Sequence, residues 1–503
     1  MDLVSIKTIA GLKESGYNVL SVKDEIRSNL ISKINDKEEI FRDIIGYNET
    51  VIPAIQNALL ARHDFILLGL RGQAKTRIAR LLPELLDEFI PIIKGSEIND
   101  NPFNPISKYA VDMVNEMGDE TEIEWIHRSQ RYGEKLATPD VNIADLIGDI
   151  DPIKAANQRL HYSHEGAIHF GIIPRTNRGI FVINELPDLQ PRIQVGLLNI
   201  LQEKDIQIRG FNIRIPLDVL IVFTANPEDY TNRGNIITPL KDRIDSQIIT
   251  HYPRKLEDGI SITESESWVN RNDKSKVIIP HYFKEIIEMS AFQARQSEYV
   301  DQKSGVSARL TISSIENLIS NAERRALINR SNIVMPRISD LNSIIPGITG
   351  KIELVFEGEQ EGAVKVAKAI ISKSVREVYK KYFPDPLKKR KQNESRLRDE
   401  YSDIVEWFQD GGTITLSDSM KFEDYYRELC KVNGLKKFVS SYQNYYESDL
   451  ELASLMEFVL DGLHQNSKIA KDELESVTSY KDMVGSMFRS GSGFDDIEEE
   501  FFK

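Results

Sequence analysis

The chain has 503 residues, 41% of them hydrophobic and 28% charged, with 78 Asp and Glu against 64 Lys and Arg for a net charge of −14. That length suits roughly two to four domains, and the balance suits a water-borne globular protein. The acidity argues against a surface dedicated to nucleic acid. No run of about 18 uncharged apolar residues occurs, so no membrane span is expected. Residues 1–5 show no basic stretch followed by an apolar one, so no secretory leader is expected. The single cysteine, Cys430, reads as a small buried apolar residue of a chain kept in a reducing, cytoplasmic setting. The histidines show no zinc-type spacing.

In chain order, residues 1–40 are polar and mostly helical by pattern. Residues 51–60 have helical apolar spacing. Asp64-Phe65-Ile66-Leu67-Leu68 is a short apolar run ending at a glycine, the pattern of a buried strand. Two similar runs follow, Gly179-Ile180-Phe181-Val182-Ile183 and Val219-Leu220-Ile221-Val222-Phe223, with helical patterns between them. Such alternation predicts an α/β fold, a parallel sheet between two helical layers. Residues 205–216 alternate, turn at Gly210 and alternate back, which predicts a β-hairpin. The expected division is a helical segment over 1–40, the sheet-bearing core over 41–255 and a helical domain over 256–378. A basic linker at 379–400, a helical region at 401–489 and a flexible acidic tail at 490–503 complete it. Residues 95–137 resist assignment.

The first strand runs into Gly69-Leu70-Arg71-Gly72-Gln73-Ala74-Lys75-Thr76, and a helical pattern starts at Arg77. Strand, glycine-bearing loop, Lys-Thr and helix form the context of a phosphate-binding loop. Backbone N–H groups at a helix N-terminus attract phosphate. Lys75 brings a point charge for the outer phosphates, and the Thr76 hydroxyl can ligate Mg²⁺. Ala74 stands where this pattern has glycine, which is compatible with binding if the backbone there is helix-like. The structural alternative is an ordinary strand–turn–helix.

The second strand ends Ile183-Asn184-Glu185. Glu185 suits the polarisation of an attacking water. Asn184 stands where an Asp is common, and it reaches a metal only through water and without charge. Asn226 ends the third strand, where a polar group can hold the water or touch the γ-phosphate. Arg243, in Leu240-Lys241-Asp242-Arg243, suits an arginine finger given to a neighbouring subunit; an intrachain ion pair is its alternative. Arg309 opens a helix of the second domain and suits a γ-phosphate contact, against a surface arginine as the alternative.

The order of these motifs resembles the AAA+ ATPases of the magnesium chelatase motor subunit and the MoxR-type, helix-2-insert branch. Ile45-Gly46, the phosphate loop, Ile183-Asn184-Glu185, Ala225-Asn226-Pro227, Leu240–Arg243 and Ser307-Ala308-Arg309 carry the likeness over about residues 40–375. The stretch 161–174 is similar to that branch's helix-2 insert, and 205–216 to its hairpin. The resemblance implies a P-loop three-layer αβα sheet with a helical lid. Ile45, Gly46 and residues 69–77 would bind nucleotide, ATP and Mg²⁺ would be the cofactors, and Glu185, Asn226, Arg243 and Arg309 would be catalytic. It also implies a hexameric ring acting on a protein partner with a von Willebrand A domain. A nucleotide-gated scaffold with little hydrolysis, motivated by Ala74 and Asn184, is one alternative. A DNA-directed motor, resting on Arg209, Arg214 and the basic 380–398 stretch, is the other.

Overall fold

The computed structural model describes residues 3–157, 165–208, 214–227, 234–271, 275–387, 400–474 and 477–483. The chain divides into two compact units, residues 1–252 and 253–503.

In the first unit the strands are, in chain order, β1 (Phe65–Leu68), β2 (Phe89–Ile93), β3 (Ile123–His127), β4 (Tyr132–Leu136), β5 (Gly148–Ile150), β6 (Ile168–Phe170), β7 (Gly179–Asn184), β8 (Asp205–Gln207), β9 (Arg214–Pro216), β10 (Val219–Ala225) and β11 (Ser246–Ile249). Five of them build a parallel sheet in the order β11-β1-β10-β7-β4. All six residues of β7 and all seven of β10 are buried, because each face of the sheet is covered. Ile180, Val182, Leu220, Val222, Phe65 and Leu67 pack with the helices Val22–Asn35, Val51–Leu60 and Lys75–Leu81. Phe181, Ile183, Ile221, Phe223 and Ile66 face the other way, toward Ile193, Ile200 and Leu240. Continuous apolar runs are what a two-sided burial selects, so the expected parallel sheet between helical layers is present.

The stretch 95–137 is a structured insertion. β2 pairs antiparallel with β3 around the helix Lys108–Met117. Trp125 donates its indole N–H to Ile6 O at 2.9 Å, which ties the N-terminal segment to β3. The hairpin expected at 205–216 is present as β8 and β9. Its turn, with Arg209 and Gly210, lies outside the described residues, as do residues 161–164 of the insert-like stretch, 388–399 and the acidic tail.

The second unit adds β12 (Lys276–Val277), β13 (Ile333–Val334), β14 (Ile414–Ser417), β15 (Ala470–Leu474) and β16 (Val477–Lys481). Its long helices are His281–Gln296, Arg309–Asn329, Ala363–Tyr382 and Asp449–Gln465. The last is buried continuously from Leu452 to Leu463, and its Phe458 stacks on Tyr282 with centroids 4.7 Å apart. One hydrophobic core runs from Tyr282 to Tyr480. The helical C-terminal region also carries a three-stranded antiparallel sheet, β14-β16-β15; short strands with polar faces gave little signal. Cys430 is exposed, contrary to the expected burial. Its helix, Phe422–Cys430, buries Tyr425 and Leu429, four apart on one face, and Cys430 falls off that face. Among the described residues no helix is long and apolar enough to cross a membrane.

Candidate functional site

Three strand ends meet at the carboxyl edge of the sheet. β1 pairs with β10 up to Leu68 and Ala225, and β10 pairs with β7 up to Phe223 and Ile183. The residues that follow each strand therefore converge: the loop from Gly69, Asn226 after β10, and Glu185 after β7. In open α/β sheets this edge is where ligands bind.

Side-chain hydrogen bonds join them. Lys75 opens the helix after the loop and is only 7% exposed. Its ammonium donates to Leu70 O at 2.9 Å, to Gly69 O and to Asn226 Oδ1 at 2.6 Å. Asn226 Nδ2 in turn donates to Glu185 Oε2 at 2.8 Å. Three residues picked from separate motifs thus form one chain, Lys75 to Asn226 to Glu185, across three strand ends.

A second chain lies beside it. The Glu185 N–H donates to Thr224 Oγ1 at 3.2 Å, and the Thr224 hydroxyl donates to Asn184 Oδ1 at 3.0 Å. Asn184 Nδ2 donates to Glu134 Oε1 at 2.6 Å. Arg80, on the loop's own helix, grips Glu134 with Nε at 2.9 Å and Nη2 at 3.0 Å, and the Tyr132 hydroxyl adds a bond at 3.1 Å. Burial pushes the Glu134 carboxyl up, but the bonds from Arg80, Tyr132 and Asn184 outweigh it and hold the group below the usual carboxylate range.

The loop is tied to the segment after β11. Thr250 donates its hydroxyl to Gln73 Oε1 at 2.7 Å, and Tyr252 donates to Arg71 O at 2.8 Å. The Tyr47 hydroxyl lies 2.6 Å from His251 O and 3.1 Å from Gln73 O; burial pushes its pKa up to about 12. Gly69 permits this approach, since a Cβ there would meet Thr250 Oγ1 at 2.0 Å and Gln73 Oε1 at 2.2 Å. The backbone at Ala74 is not helix-like. It is left-handed, with φ +56° and ψ +14°, a region that glycine occupies without cost. Glu185 is left-handed as well, with φ +56° and ψ +48°. Strained backbone of this kind gathers at functional sites.

The other candidates lie as follows. Ile45 and Gly46 are half-buried just before Tyr47, with Gly46 at φ +82°. Arg77 faces Asp43 at 3.9 Å, an exposed pair of little energetic weight. Thr76 is half-buried in the first turn of the helix. Arg243 stands outside both chains; it donates to Gln202 Oε1 and Pro239 O, each at 2.9 Å, and neither contact is an ion pair. Arg309 is the exposed first residue of its helix in the second unit. Glu134, Arg80, Thr224, Tyr47 and Thr250 were not singled out by sequence. Thr224, beside Ala225-Asn226, and Tyr47, beside Ile45-Gly46, had a motif next to them. Among the described residues no group of three or more His, Cys, Asp or Glu could cage a metal.

Residues 161–249 match the sigma-54 interaction domain family. A magnesium-chelatase 38 kDa subunit from Cereibacter sphaeroides is 27% identical over 205 residues, 39% of this chain and 54% of that protein. An archaeal Lon protease from Methanocaldococcus jannaschii is 29% identical over 119 residues, 22% of this chain and 18% of that one. The match thus spans about half the length of one curated relative and under a fifth of the other. Among solved structures, NtrX from Brucella abortus in complex with ADP aligns over 70% of this chain and 68% of its own, at 14% identity and a TM-score of 0.36. A superposition that loose carries no functional argument.

Proposed function

We propose that this chain, which carries an AAA+-type nucleotide-binding domain related broadly to the sigma-54-activator and chelatase ATPases, binds ATP with Mg²⁺ and hydrolyses it as a motor acting on a protein partner. The bonded chain Lys75–Asn226–Glu185 is the observation that carries this reading. Lys75 donates to two loop carbonyls and to the Asn226 amide oxygen. A phosphate oxygen is a stronger, charged acceptor than that amide, so nucleotide displaces Asn226 from Lys75. That frees Asn226 Oδ1 to accept from an attacking water, while Asn226 Nδ2 keeps hold of Glu185. Glu185, its backbone fixed by Thr224, takes the water's proton.

The donor set fits a magnesium–phosphate group. The loop would supply its backbone N–H groups at the start of the helix, Thr76 a hydroxyl and Asn184 an amide oxygen through water. Mg²⁺ bound there would neutralise charge on the phosphate oxygens. In this reading Arg243 acts on the nucleotide of a neighbouring subunit in a ring, and Arg309 senses the γ-phosphate. The reading adds a hexameric ring and, as the motor's substrate, a partner with a von Willebrand A domain, both proposed from the resemblance to the chelatase branch, and a cytoplasmic setting, proposed from the single cysteine.

The test is Glu185→Gln. The variant is expected to bind ATP as the wild type does and to lose at least about 100-fold in turnover. Equal turnover would remove Glu185 from the chemistry. The strain at Ala74 and the neutral Asn184 favour a second reading, a nucleotide-gated scaffold. Tight ATP binding by the wild type without Mg²⁺-dependent phosphate release, alone and with its partner, would select it.

A further inference from the structure

An asparagine amide at position 184 raises a problem that a carboxylate would not. An aspartate offers the same oxygens whichever way it turns, whereas an amide offers an oxygen one way and an NH₂ the other. Only the oxygen can accept a hydrogen bond from metal-bound water. Turned round, the amide would point partial positive charge at a cation.

The structure holds that amide at both ends. Its Oδ1 accepts from Thr224 on β10, and its Nδ2 donates to Glu134 on β4. In the sheet order β11-β1-β10-β7-β4, β10 is the side on which β1 and the phosphate loop lie, and β4 is the far side. The oxygen therefore faces the loop. A carboxylate can only accept, so Glu134 admits the NH₂ and refuses the oxygen. Its four acceptor positions are filled by Asn184, Tyr132 and the two-pronged Arg80. Arg80 neutralises its charge and stands four residues after Thr76 on the same helix, so the orienting group is fastened to the element that carries the loop.

We propose that Glu134, fastened by Arg80, is a positioning residue that fixes the Asn184 amide with its oxygen toward the nucleotide's metal; the inference rests on the ATP–Mg²⁺ reading above. It also accounts for Asn184 itself. An aspartate there would place two carboxylates at the 2.6 Å separation that Asn184 and Glu134 now occupy, and like charges that close cannot both ionise freely. Asn184 with Glu134 is one workable pair. An aspartate at position 184 with a neutral donor at position 134 is the other.

The experiment uses full-length protein and four forms: wild type, Glu134→Gln, Asn184→Asp and the double variant. For each, ADP affinity is measured in EDTA and across a Mg²⁺ titration, by calorimetry. Glu134→Gln is expected to need about tenfold more Mg²⁺ for the same tightening of ADP, with its affinity in EDTA within about twofold of wild type. The double variant is expected to recover the wild-type Mg²⁺ requirement, because a carboxylate needs no orienting. Asn184→Asp should help more when combined with Glu134→Gln than alone. Rescue of this kind is not expected of a residue that only supports the fold. Arg80→Gln, at a largely exposed side chain, should shift the requirement in the same direction and by less, and it stands in if Glu134→Gln does not fold. An unchanged Mg²⁺ requirement in Glu134→Gln, or independent effects of the two substitutions, would overturn the proposal. A wild type with no Mg²⁺-dependent ADP binding would instead overturn the ATP–Mg²⁺ reading.

Discussion

The core of the second unit and the sheet edge of the first bury charge in different ways. In the second unit, Arg325 makes a two-pronged pair with Asp340 at 2.5 and 2.7 Å and donates to Met335 O at 2.7 Å. Asp340 also accepts the Arg337 N–H at 2.7 Å and Asn321 Nδ2 at 2.8 Å. Glu457 accepts the N–H groups of Ile338 and Ser339 at 3.0 and 3.1 Å and the Tyr425 hydroxyl at 2.7 Å. Both carboxylates thus cap the backbone of the turn Ile338–Ile344. Such partners are fixed and have no competitor. At the sheet edge of the first unit, the buried Lys75 donates to Leu70 O and Asn226 Oδ1, contacts that a phosphate would outbid on the proposed reading, next to left-handed backbone at Ala74 and Glu185. The first arrangement is architecture. The second, on the proposed reading, is a resting state that nucleotide would rearrange.

The widest separation between them should appear on removing one partner. Asp340→Ala strands a buried guanidinium and opens the cap at Arg337, so a loss of about 3–5 kcal/mol in unfolding free energy is expected. Replacing both partners, Arg325→Met with Asp340→Leu, should recover much of that loss. Denaturant titration followed by the second unit's aromatic signal checks both. A double variant as unstable as the single one would mean the cap, not the ion pair, carries the cost.

Acid should separate two carboxylates within the second unit. Burial pushes Glu473 up, but Lys471 at 2.8 Å outweighs it and holds the carboxyl at about 2. A depressed carboxylate contributes stability above its unfolded pKa, near 4.5, and that contribution is lost as pH falls toward 2. Glu457 has the opposite sign. Burial, outweighing the bond from Tyr425, raises its pKa, so the folded state gains from its protonation as pH falls. Glu473→Gln should therefore flatten the decline in stability between about pH 4.5 and 2, and Glu457→Gln should not. Thermal midpoints across that range read the difference.

At the sheet edge the expected loss is in binding rather than folding. Lys75→Ala should weaken ATP by at least about 100-fold and shift the denaturation midpoint far less than Asp340→Ala does. Comparable losses of stability in the two variants would make Lys75 a structural lysine and erase the contrast.

Much of that contrast was legible in the sequence. The three core strands announced themselves as apolar runs because two-sided burial leaves no alternation. Two ran into a polar residue and the third into the glycine loop that ends at Lys75, and the parallel register brings all three to one edge, so Lys75, Glu185 and Asn226 were readable from sequence. Glu134 was not, because a single acidic residue in Tyr132-Gly133-Glu134-Lys135-Leu136 looks like an exposed strand position until β4 is known to flank β7. The caps on 338–344 were invisible for a similar reason. Glu457 stands far from that turn in sequence and gains meaning only when the helix Asp449–Gln465 is buried beside it, and Asp340 reads as an ordinary acidic residue until Arg325 is set against it. Cys430 misled because composition predicts burial on average, whereas the helix face is set by Tyr425 and Leu429.

The smallest effect concerns Ala74, and it sharpens what strain at the edge is for. A left-handed alanine costs roughly 1 kcal/mol over glycine through its Cβ. Glycine returns part of that by loosening the unfolded chain. Ala74→Gly is therefore expected to stabilise the first unit by about 0.5 kcal/mol. Its effect on nucleotide affinity decides between two uses of the strain. If the loop already has its binding conformation, relief of strain stabilises free and bound forms alike, and ADP affinity stays within about twofold. If nucleotide carries residue 74 into the right-handed region, the alanine favours the bound form, and glycine there weakens ADP while still stabilising the free protein. Calorimetry on the two proteins, paired with denaturation in the presence and absence of ADP, separates the cases. A loss of stability on Ala74→Gly would contradict the left-handed backbone itself.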